Sequence, residues 1–171
     1  PLGDEIAEAS KWPTNNWIDD NVNRALADLR LEPSPQADDA TMFRRVSLHL
    51  TGRLPQPSAL KQYVSARDAT KFDKLVDELL QSSEFVEYWT FRFSQLLRIN
   101  PQPNNLPATK AFHDWVRQQL EDQTGWNKIA IDLLTAEGDT HESGPANFYL
   151  VASDARAQAE YASELLMGVR L

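Results

Sequence analysis

The chain has 171 residues, 42% of them hydrophobic and 25% charged, with a formal net charge of −8. Seven Phe, five Trp and four Tyr supply enough apolar volume for a packed core and exclude a disordered chain. The acidic balance repels phosphate backbones and anionic lipid, so nucleic-acid binding is not expected; the lack of cysteine excludes disulfides, thiolate zinc sites and covalent c-type haem within these residues.

Pro1-Leu2-Gly3 resembles the remnant of a cleaved tag, and residues 4–15 read as a polar arm, which sets residues 1–15 apart from the rest. Helical period begins at Asn16, with Trp17, Ile18, Val22, Ala25, Leu26 and Leu29 on one apolar stripe. Leu31–Pro35 is a connector. The next segment is strongly punctuated. Asp38 and Asp39 supply a cap and first-turn charge, and Met42, Phe43, Val46 and Leu50 form an inward face. Gly52 closes that helix, and Pro55 and Pro57 prevent its continuation.

Residues 57–66 form a short helix with Leu60, Tyr63 and Val64 inward. Asp68 is positioned to cap the following helix, striped by Phe72, Leu75, Val76, Leu79 and Leu80. Ser83 is positioned to cap another, carrying Phe85, Trp89, Phe93, Leu96 and Leu97. A break rich in Pro and Asn over 100–107 marks a joint between two halves. Helices resume at Ala108 (Phe112, Trp115, Val116, Leu120) and at Gly125 (Ile129, Ile131, Leu133, Leu134). Residues 137–150 read as loop. Ser153 or Asp154 caps a last helix through Tyr161, Leu165, Leu166 and Val169.

No β alternation, repeat or low-complexity run interrupts this pattern. The pattern predicts an all-α fold, an orthogonal bundle of seven or eight short helices forming one domain over 16–171. The last helix is still patterned at Leu165–Leu171 with no C-terminal cap, which predicts a chain cut from a longer protein. No apolar run reaches the ~18 residues of a membrane helix, and no signal peptide is visible.

The residues offer little chemistry, and neither a catalytic set nor a metal set is identified. His49 has Arg45 four residues before it, which is no ligand. His113 and Asp114 are adjacent on a helix and do not face each other. Asp139, His141 and Glu142 form a carboxylate–imidazole cluster on a loop, read as solvated, with a weak cation or sugar contact as the alternative. Arg44 and Arg45 with Asp38, Asp39 and Asp77 read as a structural ion network, with an anion site as the alternative. Four tryptophans lie on or beside apolar stripes and read as core. Trp12 lies outside them and, with Tyr149, is the candidate partner-binding or sugar-stacking aromatic. Ser47 and Ser143-Gly144 lack a nucleophile elbow, and no phosphate-binding glycine loop is present.

Several motifs resemble one family in one order. Trp17-Ile-Asp-Asp, Pro33-Ser-Pro-Gln-Ala-Asp and Phe43-Arg-Arg-Val-Ser-Leu-His-Leu-Thr-Gly-Arg-Leu-Pro-Gln-Pro57 are similar to the opening of the planctomycete cytochrome-C-associated family, domain of unknown function 1549. Lys74-Leu-Val-Asp-Glu-Leu-Leu-Gln-Ser-Ser-Glu-Phe85 and Tyr88-Trp89 resemble its middle. Trp115-Val116, Asn127, Leu133-Leu-Thr-Ala-Glu-Gly138, Pro145-Ala-Asn-Phe-Tyr149 and Glu164-Leu-Leu-Met-Gly-Val-Arg-Leu171 resemble its later part. His49 departs from the pattern, which usually has an acidic residue there.

The resemblance implies an exported protein of the periplasm, cell envelope or medium. It also implies a downstream Cys-x-x-Cys-His segment of c-type haem character beyond Leu171, so the haem would not belong to these residues. The expectation is a non-catalytic helical scaffold whose partner is a downstream domain of the same protein. Two alternatives are a composite polymer-processing enzyme using Glu137, Asp139 or Glu142, and a carbohydrate-binding module taking a polysaccharide.

Overall fold

The computed structural model describes residues 12–100, 105–152 and 154–169. The tag remnant, most of the arm, part of the 100–107 break, Ser153 as a cap, and Arg170 and Leu171 lie outside the described residues. Among those described there are eight α-helices, one 3₁₀ helix and no strand, so the fold is all-α. The chain forms two compact units that divide in sequence between Asp38 and Asp39.

The first unit contains α1, Trp17–Asp28. Asn16 caps it: the side-chain oxygen accepts from the amides of Ile18 at 2.9 Å and Asp19 at 3.2 Å. The chain leaves α1 through Arg30 in the left-handed region, φ +56°. The expected burial of the α1 stripe does not occur. Trp17 is 72% exposed, and Ile18, Val22 and Leu29 are also exposed. Among the described residues the unit offers α1 no second helix for this stripe to pack on. Trp12, the candidate partner-binding or sugar-stacking aromatic, is half-buried. The arm turns back on α1 there, with Asn23 Nδ2 donating to the Pro13 carbonyl at 3.5 Å.

The second unit is built on α2 (Asp39–Thr51), α3 (Pro57–Ser65), α4 (Lys71–Leu80), α5 (Ser83–Leu96), α6 (Leu106–Glu121), α7 (Trp126–Leu134) and α8 (Ala155–Met167). A 3₁₀ helix, Gly144–Leu150, lies where the sequence read as loop. Its short apolar Phe148-Tyr149-Leu150 run carries too few residues to show a helical period.

Two apolar clusters hold this unit. Phe43 from α2, Tyr63 from α3 and Leu75 from α4 form one, with Val46, Leu60 and Leu79 against it. Leu97, Phe112, Val116, Ile129, Leu133, Phe148 and Tyr161 form the larger one, in which Phe148 and Leu133 are fully enclosed. α5 packs on both α2 and α6 and so links the two. Each fully buried side chain of this size contributes roughly 1.5–3 kcal/mol of transfer free energy.

Several helix ends differ from expectation, each for a local reason. Asp68 does not cap α4. Its Oδ1 accepts from both the amide and the hydroxyl of Thr70 at 2.8 Å, and its Oδ2 meets Lys74 Nζ at 2.6 Å, which places it a turn ahead of the helix. Ser82 rather than Ser83 caps α5, accepting from the Phe85 amide at 3.2 Å. α6 starts at Leu106 rather than Ala108, because Pro107 is tolerated in the first turn. α8 does have a C-terminal cap. Gly168 adopts φ +68°, and its amide donates to the carbonyls of Ser163 and Glu164.

Candidate functional site

Arg44 and Arg45 are exposed on the side of α2 away from Phe43 and Ser47, and Asp77 is exposed on α4. Within the second unit, none of the three makes an ion pair among the described residues. The charge pair of this region is Asp39 with Lys71, whose Nζ lies 2.6 Å from Asp39 Oδ2. Lys71 also donates to the carbonyls of Tyr63 at 3.3 Å and Ala66 at 3.1 Å and sits 4.9 Å above the Tyr63 ring. Its donors are consumed in joining α2, α3 and α4, which is a structural use.

Other charged pairs lie on helix surfaces. Lys110 and Asp114 pair along α6, and the Lys110 ammonium holds the Asp114 carboxyl below its usual range. Arg117 pairs with Glu121, Lys128 with Asp132 and Arg156 with Glu160, all four residues apart. His113 touches its neighbour Asp114 from 3.6 Å and is exposed, as is His49.

The 137–150 region is more organised than a solvated loop. Asp139 Oδ1 accepts from the His141 amide at 2.8 Å, and its carbonyl accepts from the amides of Glu142 and Ser143 at 3.1 and 2.7 Å. These bonds are a turn of the Asx type rather than a convergent carboxylate set. The Glu142 and Glu137 side chains are exposed. Among the described residues no group of three His, Cys, Asp or Glu is arranged to hold a metal ion. Tyr149 is 43% exposed and donates its hydroxyl to the Leu134 carbonyl at 2.5 Å, which fixes the ring to the end of α7.

Asn147 organises the segment. It is 5% exposed, and its Nδ2 donates to the carbonyls of Thr140 at 2.7 Å, Gly144 at 3.0 Å and Ser143 at 3.3 Å. Gly144 packs into α6 so tightly that a β-carbon there would lie 2.7 Å from the Ala111 carbonyl oxygen and inside contact distance of the Trp115 side chain. His141 reaches across to the start of α6, where Nε2 donates to Asn105 Oδ1 at 2.9 Å. Asn105 therefore spends its oxygen on His141 and makes no side-chain cap on α6.

These contacts border a cleft of about 160 Å³ between the end of α5, the start of α6 and the 3₁₀ helix. Arg98, Asn100, Asn105, Thr109 and Asn147 supply its polar lining, with Val151 on the apolar side. Arg98 adopts φ +53°. Its guanidinium carbon lies 4.4 Å from the Tyr161 ring centre, and Nη2 is 3.9 Å from Glu164 Oε2. Tyr161 is buried and donates its hydroxyl to the Leu96 carbonyl at 3.0 Å. Burial pushes its pKa up to about 12; Arg98 opposes that shift and Glu164 adds to it.

Of the candidate residues read from sequence, His141 touches this cleft through Asn105, and the Ser143 and Gly144 carbonyls touch it through Asn147. Sequence reasoning does not reach Arg98, Asn105 or Asn147. The signals for them are indirect: an Asn directly before a Leu-Pro helix start, and an Asn between Ala146 and Phe148 in a motif otherwise built for packing.

A covalently attached haem finds no anchor here, because the sequence contains no cysteine. No helix among the described residues is long and apolar enough to cross a membrane. No curated protein and no solved structure matches the chain. A family model, PSCyt2, described as a protein of unknown function (DUF1549), matches residues 17–167. That span takes in the Gly52 turn, the Tyr88-Trp89 pair and the Gly144–Tyr149 segment, and the chain belongs to this family.

Proposed function

We propose that this chain is a helical scaffold and docking module of a larger, exported, cytochrome-c-associated protein. The observation that supports the reading is where the motif residues go. Gly52 closes α2 beneath the Tyr88 ring, Gly144 seats the 3₁₀ helix against α6, Asn147 ties the preceding turn, and Phe148 fills the core. Residues arranged in this way build a frame and hold a surface. The partner in this reading is a downstream domain of the same protein, with c-type haem carried there.

The test is a longer version of the chain, extended past Leu171 into its native sequence and produced in a host that attaches c-type haem. A Soret band that survives denaturation, together with loss of the downstream domain's stability when residues 17–167 are removed, supports the reading. A folded product without covalent haem removes the cytochrome assignment. A downstream domain indifferent to removal of this module removes the scaffold assignment.

A further inference from the structure

We infer that the cleft between α5, α6 and the 3₁₀ helix binds a small polyhydroxylated carboxylate, of the size of one sugar-acid unit. This inference does not rest on the scaffold reading.

The first element is charge. Arg98 is the cationic side chain lining the cleft, and it is exposed to an incoming ligand. The ring of Tyr161 supports one face of the guanidinium, and Glu164 approaches it at 3.9 Å, beyond good hydrogen-bond distance. A guanidinium held in this way retains donors for an incoming carboxylate, which it can engage with two parallel bonds.

The second element is a set of uncommitted amide groups. Asn147 is buried, and its hydrogen bonds all run from Nδ2, so Oδ1 accepts nothing among the described residues. Asn105 has the opposite imbalance: His141 occupies Oδ1, and Nδ2 has no acceptor among the described residues. Asn100 adds another side-chain amide, and the Thr109 hydroxyl donates to the Asn100 and Asn105 carbonyls at 3.5 and 3.2 Å. An open acceptor on Asn147 and an open donor on Asn105, both on the lining of one cleft, suit a hydroxyl, which both gives and takes a hydrogen bond. A simple anion meets the donors and offers nothing to Asn147 Oδ1.

The third element is size. About 160 Å³ admits roughly ten water-sized groups, enough for one sugar-acid ring and too little for an extended oligomer inside the cleft. Glu164 competes for Arg98 from outside, so the ligand's carboxylate must replace a weak contact rather than a tight ion pair.

The test uses the 171-residue chain with D-galacturonate, galactose and acetate as probes, followed by amide chemical shifts. Expected is saturable binding of galacturonate, with shifts concentrated at residues 98–100, 105–109 and 147–151. Galactose binds about tenfold or more weaker, because it offers Arg98 no charge. Arg98→Gln weakens galacturonate by a similar factor while keeping the shift dispersion of a folded protein. Asn105→Ala, which leaves the Tyr161 face intact, is the second variant and weakens galacturonate and galactose together. Galacturonate without saturable local shifts overturns the inference. So does acetate binding as tightly as galacturonate, an acidic peptide binding there while galacturonate does not, or folded variants that bind unchanged.

Discussion

Gly52 lies directly beneath the ring of Tyr88, thirty-six positions later in the chain, so that a β-carbon on Gly52 would sit 2.5 Å from Tyr88 Cε2. The same glycine adopts φ +67° at the end of α2, and its amide donates to the Leu48 carbonyl at 3.0 Å. Two demands therefore meet at one residue, a left-handed backbone and the absence of a side chain. They connect the α2 turn to the middle of α5.

Gly52→Ala is expected to cost about 2–4 kcal/mol, combining the left-handed penalty with overpacking against an aromatic ring. Gly168→Ala is the control. Gly168 has the same sign of φ at +68°, but a β-carbon there would meet nothing within 4 Å, so only the backbone penalty applies, about 1 kcal/mol. Urea denaturation of both variants separates the two contributions. Equal losses at the two sites would show that the Tyr88 ring moves aside without cost.

Gly144 isolates the steric contribution from the other direction. Its φ is not in the left-handed region, yet a β-carbon would meet the Ala111 carbonyl and the Trp115 side chain. The backbone of α6 cannot retreat as a flexible side chain can. Gly144→Ala is expected to cost about 1–3 kcal/mol and to disturb the amide shifts of residues 111–115 and 144–150. Retained stability with unperturbed shifts on α6 would contradict this packing.

The all-α pattern and most helix spans were legible in the sequence because caps and breakers are local. Asn16, Gly52 and Pro57 act within a turn of the ends they set. The exposure of Trp17 was not legible, since a stripe shows that a helix has an apolar face and not whether its own unit supplies a partner. The 3₁₀ helix was hidden for a different reason. Its core residue, Phe148, is placed by Gly144 and Asn147, whose contacts are with α6 and with the carbonyls of a turn. The Asp68 turn and the Arg98 cleft likewise depend on groups brought together by the chain's return, which a local pattern does not encode.

Tyr161 makes stability depend on alkaline pH. Its folded pKa is raised to about 12 from an ordinary 10.0, chiefly by burial. Above the ordinary value the unfolded chain loses this proton while the folded chain keeps it. The contribution is therefore complete below pH 10 and falls away as pH rises toward 12. Tyr161→Phe is expected to cost about 1 kcal/mol at pH 7 by losing the bond to the Leu96 carbonyl, and to flatten this alkaline decline relative to the parent chain. Parallel declines in the two proteins across about pH 9 to 11.5 would remove Tyr161 as the cause.

Asn147→Asp tests whether the turn before the 3₁₀ helix is held by donation alone. The substitution is nearly isosteric, yet it replaces a group that donates to three carbonyls with a carboxylate that can donate to none. Three carbonyl oxygens would then face a buried negative charge, at an expected cost of about 3 kcal/mol or more at pH 7. Protonation restores one donor and removes the charge, so the folded state favours the acid form and the carboxyl's pKa rises on folding. A raised acid pKa contributes stability at low pH that is lost as pH increases, so the deficit relative to the parent should shrink between pH 7 and pH 4. Asn147→Ala leaves the same carbonyls without a donor but introduces no charge, and its deficit should be nearly independent of pH. Urea denaturation of all three proteins at both values decides the matter. A deficit for Asn147→Asp that stays constant, or grows toward pH 4, would mean the carboxylate finds a cationic partner that the native arrangement does not supply.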